Sequence, residues 1–284
     1  MALCALLVCA LGAAPAPSSA TASDRATAAA SLSVPPVVRS RVQATLGNAG
    51  LDAPAGQRVM IQVHVDTLGM VTEARVEKGG TPFDSAAVDA ARWWIFTPAH
   101  RDGRALAAQV VIPIEASAPD ADPMVPDVVA LAYDAEAAGD VRGALDAWTG
   151  VGLRAGSPLV ADAWSPRAHA IALAARLPKP PTIPLSAQGK ARGARNALQR
   201  TMARGDNEDY ARRLSEALQE APWYADAYRW RAAARAMAGQ RDDAMRDLRC
   251  YALAARDSAA QDIAARALRA LAARDTIGAY TLLK

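Results

Sequence analysis

Aromatic side chains are scarce in this chain. They make up 5% of its 284 residues, and only two of them are phenylalanine. A chain this rich in alanine must concentrate its large buried surfaces at a few Trp and Tyr positions, so each of those carries weight. Cysteine is rarer still. Cys4 and Cys9 fall in an N-terminal apolar run, and Cys250 stands alone in the body, in the helical pattern "LRCYALAA", where it reads as a small core residue. One thiol forms no internal disulfide, and no Cys/His cluster has zinc spacing. His64, His100 and His169 fall on a strand's outer face, a loop and a predicted helix, none with a ligand-spaced partner. A Gly-rich phosphate loop, a G-x-S-x-G elbow and an H-E-x-x-H helix are all missing. Acid pairs such as Asp242-Asp243 sit at a predicted helix start, where the helix dipole accounts for them. These absences point to a non-enzyme with no cofactor and no metal. The charge excess is also small, with 32 Lys and Arg against 29 Asp and Glu, too little to imply a nucleic-acid partner.

No apolar run is long enough to cross a bilayer, so no stable membrane span is expected. The first segment, "MALCALLVCALGAAPAPSSATA", is apolar from Met1 to about Ala14 and then turns to Pro, Ser and Ala. Its length and small-residue tail fit a secretory signal peptide over 1–22, although no basic residue opens it. Cys9 in "LLVC" also invites a lipid-attachment reading, which Val8 fits poorly. Export to a bacterial periplasm is the expectation. Residues 23–34 read as a flexible linker.

Clear periodicity begins after that linker. "VPPVVRSRVQATLGNAG" (34–50) reads as a short helix with a Gly stop. Val59, Ile61, Val63 and Val65 then alternate with Met60, Gln62, His64 and Asp66, the mark of a strand buried on one face. Asp66 to Gly69 forms a turn, and a second strand runs through Thr72, Ala74 and Val76. Asp84 is a good N-cap for a helix reaching Arg92 or Trp93. "ALAAQVVIPIEAS" is a further strand, with Val110, Ile112 and Ile114 on one face. Pro113, which lacks a ladder donor, places it at a sheet edge.

Beyond a Pro/Asp-rich linker (117–127), strand signals give way to alanine-rich helical patterns, broken again at 178–186. Ala132, Gly139, Ala144 and Trp148 recur as Ala232, Gly239, Ala244 and Leu248, offset by 100 residues at each position. Each set describes a helix ending at Gly, a tight turn and a second helix packed through a small Ala. A third unit, "MARGDNEDYARRLSEALQEAP", puts Gly205 at its turn and Pro222 at its exit. These units resemble the tetratricopeptide repeat, with an unrelated array of helical hairpins as the alternative. They divide into hairpins over 128–177 and repeats over 187–275, with 258–275 as a capping helix and 276–284 as a tail. Within them Lys190, Arg192, Arg195, Arg200 and Arg204 occur with no intervening acid. That stretch is either a solvated helix face or a contact for an acidic partner or anionic surface.

The order helix, strand, Asp-x-x-Gly turn, strand, helix, W-x-F-x-P-A, edge strand resembles the C-terminal domain of the TonB family of energy transducers. The residues that carry the likeness are Val63, Val65, Asp66, Gly69, Val71 and Val76, then Asp84, Ala86, Ala87 and Ala90, then Trp94, Phe96, Pro98, Ala99, Gly103 and "VVIPIEA". It covers residues 35–116. The fold expected is therefore α+β, a small antiparallel sheet with helices on one face, followed by an all-α helical-repeat domain. The resemblance implies recognition without catalysis: an extended segment of an outer-membrane receptor or another envelope protein adds as a strand to the sheet edge. Here that edge is Ala107 to Glu115, with Gln109, Val111 and Glu115 tuning specificity. Transducers carry a membrane helix and a long Pro-rich spacer before this domain, and they end with it. This chain does neither, which favours a periplasmic adaptor whose repeats bind a second partner. The alternatives are a transducer whose anchor is missing upstream of Met1, and a scaffold whose domain docks only on its own repeats.

"RWWIFTPA" (92–99) marks the change from helical to strand period. Trp94 and Phe96 share one face, as residues i and i+2 do, and join Val63 and Val65 in the domain core. Trp93 and Ile95 point the other way, where family members place polar residues. They form an apolar patch that docks onto the helical repeats, docks onto a partner, or is incidentally exposed.

Overall fold

The computed structural model describes residues 34–44, 58–80, 83–115, 125–154, 164–200 and 204–284, except the side chains of 125, 126, 152–154, 204 and 205. The expected signal peptide, Cys4 and Cys9, and nearly all of the two linkers lie outside those residues.

Small antiparallel sheets come first, and a helix-rich region succeeds them. Strand β2 (Arg58–Val65) pairs with β3 (Val71–Lys78) and with β7 (Ala108–Glu115), in the order β3-β2-β7. Val59, Ile61, Val63 and Val65 are buried, and Ile112 and Ile114 of β7 lie opposite Ile61 and Val59 on the same side. The alternation therefore builds one apolar face, which helix α1 (Asp84–Ala91) covers with Ala86, Ala87, Ala90 and Ala91. Alanines on that stripe let the helix approach the sheet closely. Trp94 and Phe96 complete the same cluster, and the Trp94 indole N–H donates to the Val42 carbonyl at 2.9 Å.

The β2–β3 turn is locked by Asp66, whose carboxylate accepts from the backbone N–H groups of Leu68 and Met70, each at 2.8 Å. Gly69 sits at φ +83°, and a β-carbon there would lie 2.0 Å from the Phe96 carbonyl oxygen. Only glycine allows the Phe96 N–H to reach the Gly69 carbonyl at 2.8 Å.

Several expectations need correction. The segment read as a helix over 34–50 instead contains strand β1 (Val37–Ser40), paired antiparallel with β4 (Ile95–Thr97). Pro35-Pro36 holds the preceding backbone extended, and the β-branched Val37-Val38 continues it; residues 45–50 are outside the described set. Asp84 is not the N-cap but the first helical residue. Phe83 takes the cap position, and the Asp84 carboxylate accepts from the Gly80 N–H at 2.7 Å. An unforeseen hairpin, β5 (Ala99–Arg101) and β6 (Arg104–Leu106), turns at Asp102-Gly103, both with positive φ.

The helical region has nine helices among the described residues. They are α2 (Val125–Ala137), α3 (Val141–Arg154), α4 (Trp164–Arg176), α5 (Leu185–Arg200), α6 (Arg204–Glu220), α7 (Ala225–Met237), α8 (Arg241–Ala255), α9 (Ser258–Ala272) and α10 (Thr276–Leu283). The repeated residues do the same work in both copies. Gly139 and Gly239 take positive φ at the ends of α2 and α7, while Ala132, Ala144, Ala232 and Ala244 are fully buried at the hairpin crossings. Gly205, expected in a turn, is instead the second residue of α6. The expected capping helix and tail form a further hairpin, α9–α10. Arg274 takes the left-handed position there, and the Asp275 carboxylate caps α10 by accepting from the Gly278 N–H.

Deep in this region Arg231 and Asp247 are both fully buried and share hydrogen bonds of 3.1, 3.1 and 2.6 Å. Arg235 donates to the same carboxylate at 3.0 Å. Removing the acid would strand buried guanidinium charge. Asp247→Ala should therefore lower stability by about 3–5 kcal/mol in chemical denaturation. Trp94→Ala should cost about 3–5 kcal/mol by the same measurement, as expected for deleting a buried large ring, and a loss under about 1 kcal/mol would place it at the surface.

Candidate functional site

Two surfaces of the sheet unit stand out, an edge and a face. Strand β7 bonds β2 along one side, and no strand among the described residues pairs with its other side. It alternates buried Ile112 and Ile114 with exposed Gln109, Val111, Pro113 and Glu115. A row of backbone groups with apolar side chains on one face is what an added strand requires. The Glu115 carboxylate is engaged by Arg58 across the β2–β7 pair, so of the residues expected to tune specificity, Gln109 and Val111 remain toward the middle of the strand.

The face is formed by Trp93 and Ile95, and the helices cover it. Trp93 is 4% exposed and Ile95 fully buried. The Trp93 ring stacks on Trp164 of α4, with centroids 5.8 Å apart and planes inclined by 26°. The Arg249 guanidinium of α8 lies 4.6 Å from the Trp93 ring centre, a cation–π pair. Ile95 joins a buried cluster with Met70 from the β2–β3 turn and Leu198, Ala232, Met245 and Leu248 from the helices. Phe96, one residue on, belongs to the sheet's own core, so β4 is buried on both sides.

Polar groups fix the geometry of this face. Arg246 of α8 donates to the Trp93 carbonyl at 2.9 Å and to the Ser40 hydroxyl at 2.7 Å. Arg39 of β1 forms an ion pair with Asp242 at 2.6 Å. Asp242 and Asp243, which a dipole argument alone accounts for in sequence, thus also hold Arg39 and Arg246. These partners lie far apart in the chain, and no local pattern announces them.

A second polar cluster joins α1 to α2 and α4. The Asp89 carboxylate accepts from the Tyr133 hydroxyl at 2.8 Å and faces His169 Nε2 at 3.1 Å. His169 Nδ1 faces Glu136 at 2.7 Å, and the Trp148 indole N–H donates to the same carboxylate. Burial by itself pushes His169 down. The bond and charge of Asp89, with the charge and bond of Glu136, outweigh it and raise the ring above its ordinary value. Burial likewise opposes ionisation of Asp89, but His169, Tyr133 and Arg92 bring its carboxyl below the usual range. Cys250 is a buried thiol pushed up to about 12, chiefly by burial and next by Asp247. Among the described residues no group of three His, Cys, Asp or Glu side chains converges as metal ligands.

The basic stretch runs along α5, with Arg204 opening α6, and α6 supplies acids that the stretch lacks. Lys190 pairs with Glu220 at 2.7 Å, and Arg195 lies over Trp230 at 5.2 Å. Arg192 and Arg200 are exposed, and the Arg204 side chain lies outside the described residues.

Residues 56–115 match the family described as the Gram-negative bacterial TonB protein C-terminal. No curated protein and no solved structure matches the chain. The match spans the hairpin, α1, the W-x-F stretch and β7, ending where the open strand ends. That similarity is to a protein-interaction domain and covers this part of the chain alone. No helix among the described residues is long and apolar enough to cross a membrane.

Trp93→Lys combined with Ile95→Lys should leave the sheet unit folded and free it from the helices. Small-angle scattering of the full-length double variant should show an expanded particle that keeps its far-UV signal. An unchanged radius of gyration would mean that these side chains do not hold the two parts together.

Proposed function

We propose that this protein is a periplasmic, non-catalytic adaptor. Its TonB-like unit binds an extended segment of an envelope protein by strand addition to β7, and its helical array engages a second partner. The observation that carries this is the side of β7 left unpaired among the described residues, because the helices dock on other elements. They hold Trp93, Ile95, Ser40, Arg39 and Asp89, which belong to β1, β4, the α1–β4 connection and α1. Docking therefore leaves the β7 edge open while giving the small sheet a rigid mount. Added backbone bonds supply affinity, and Gln109 and Val111 bias which side chains sit opposite them.

The family match is shared by the energy-transducer reading. An in-frame extension upstream of Met1 encoding about 20 apolar residues, the length a bilayer demands, would favour that alternative.

Photo-crosslinking from the full-length protein tests the edge directly. A photoreactive residue at Gln109 or Val111 should capture an envelope protein through an extended segment. A synthetic peptide of that segment should then slow hydrogen exchange in β7. Capture no stronger than from Glu73 on the opposite strand β3, or unchanged exchange in β7, would overturn strand addition.

A further inference from the structure

His169 has an arrangement that the binding function does not use. Its two ring nitrogens face two different carboxylates, Asp89 at 3.1 Å and Glu136 at 2.7 Å. A neutral imidazole carries one N–H and can donate to only one of them. The other nitrogen would then set its lone pair against an ionised oxygen. The imidazolium donates to both. Its ring also lies flat on Trp148, with centroids 4.4 Å apart and planes at 19°, an arrangement that favours a cation. The carboxylates sit on opposite sides of the ring, which makes the group a bridge and not a chelate. They also belong to different parts of the molecule: Asp89 to α1 of the sheet unit, Glu136 to α2 of the array.

We propose that protonated His169 is a pH-operated latch that fastens α1 of the sheet unit to the helical array and loosens when the ring loses its proton. The groups around it are accounted for element by element. From α1 comes Asp89, and from its C-cap Arg92, 3.4 Å from the Asp89 carboxylate. From α2 come Glu136 and the Tyr133 hydroxyl, which donates to Asp89. From α3 comes the Trp148 indole, which donates to Glu136. Helix α8, also packed on α4, sends Arg249 to Trp93 and Asp247 to Arg231 and Arg235.

Two shifts set the direction of the pH effect. Of the two carboxylates that raise the ring, only Asp89 leaves with α1, because Glu136 stays beside His169 in the array, so the ring holds its proton more tightly when docked by the Asp89 share alone. Its contribution is thus full below the undocked ring's value, which Glu136 still holds up, and fades as pH rises through the docked value. Asp89 runs the other way: its contribution is present above the ordinary carboxylate range and disappears as pH falls through its lowered value. The latch holds between those limits. Trp93, Ile95 and Arg246 lie outside it and keep the units joined when it opens, so the change is local to α1. The inference stands independently of strand addition at β7.

The full-length protein with ring nitrogens labelled in its three histidines gives the test. At about pH 6, a protonated ring should show both His169 nitrogens carrying protons, and the midpoint should lie above about 6.5. Exchange protection of the α1 amides, corrected for intrinsic rates, should fall by about tenfold for each unit by which the midpoint exceeds that of Asp89→Asn, whose ring keeps Glu136 but lacks the Asp89 charge. Asp89→Asn should move the midpoint down toward about 6.5 and flatten the pH dependence of α1 protection. His169→Gln serves as the second variant, since an amide that does not titrate should abolish the pH dependence above the carboxylate range whatever its overall stability. A midpoint at or below about 6.5, or α1 protection whose pH dependence above that range survives in His169→Gln, would overturn the latch.

Discussion

The structure depends on how Trp93 is covered. Its ring is held between Trp164 on one helix and Arg249 on another, and its backbone carbonyl is bound by Arg246. An offset aromatic pair and a desolvated cation–π pair each add on the order of 1 kcal/mol to the burial of the ring itself. The stack continues past Trp164, where Arg167, Arg231 and Arg235 lie 5.8, 5.5 and 5.5 Å from the ring. Arg231 and Arg235 are in turn held by the buried Asp247. A chain of rings and guanidinium groups thus runs from the sheet unit into the middle of the helical array. Burying that much positive charge is tolerable because the guanidinium is weakly hydrated and the aromatic faces and Asp247 partly compensate it.

This arrangement explains how a sheet of three strands is held in place. A small sheet with one alanine-faced helix has limited area to bury. Here β4 has a core on either side, Phe96 toward the sheet and Ile95 toward the helices. Docking covers the apolar patch that Trp93 and Ile95 would otherwise expose, and it engages β1, β4 and the β2–β3 turn, not β7. Among the described residues the outer side of β7 has no strand partner, while Pro113 and the charged Glu115 make it a poor template for indiscriminate pairing.

The part of the molecule most easily read in sequence is the part governed by period. Val59 to Val65 and Val110 to Ile114 alternate, and Pro113 marks the edge, so the hairpin and the open strand are legible from local pattern. The Ala–Gly–Ala spacing likewise describes helix pairs that close through a left-handed glycine, as they do at Gly139 and Gly239. Local pattern misleads where two periods compete or where a signal is short. "VVRSRVQ" suits a helix face or a strand equally, and its pairing with Ile95–Thr97 selects the strand. Asp102-Gly103 carries a hairpin signal that three-residue strands leave inconspicuous. At Arg274 a non-glycine residue occupies the left-handed position, which hides the last hairpin.

Chain-local chemistry thus settles which residues can share a face, where backbone turns are possible and how apolar each element is. It settles that Trp93 and Ile95 point away from Trp94 and Phe96, because adjacent side chains on an extended chain alternate. What covers them is a property of the assembled fold. Trp93 and Trp164, Asp89 and His169, Arg39 and Asp242 meet only after every intervening element has taken its place. A lone histidine and a helix-start acid look alike in any sequence. Their partners, protonation and role depend on distances of about 3 Å that long-range packing alone can set.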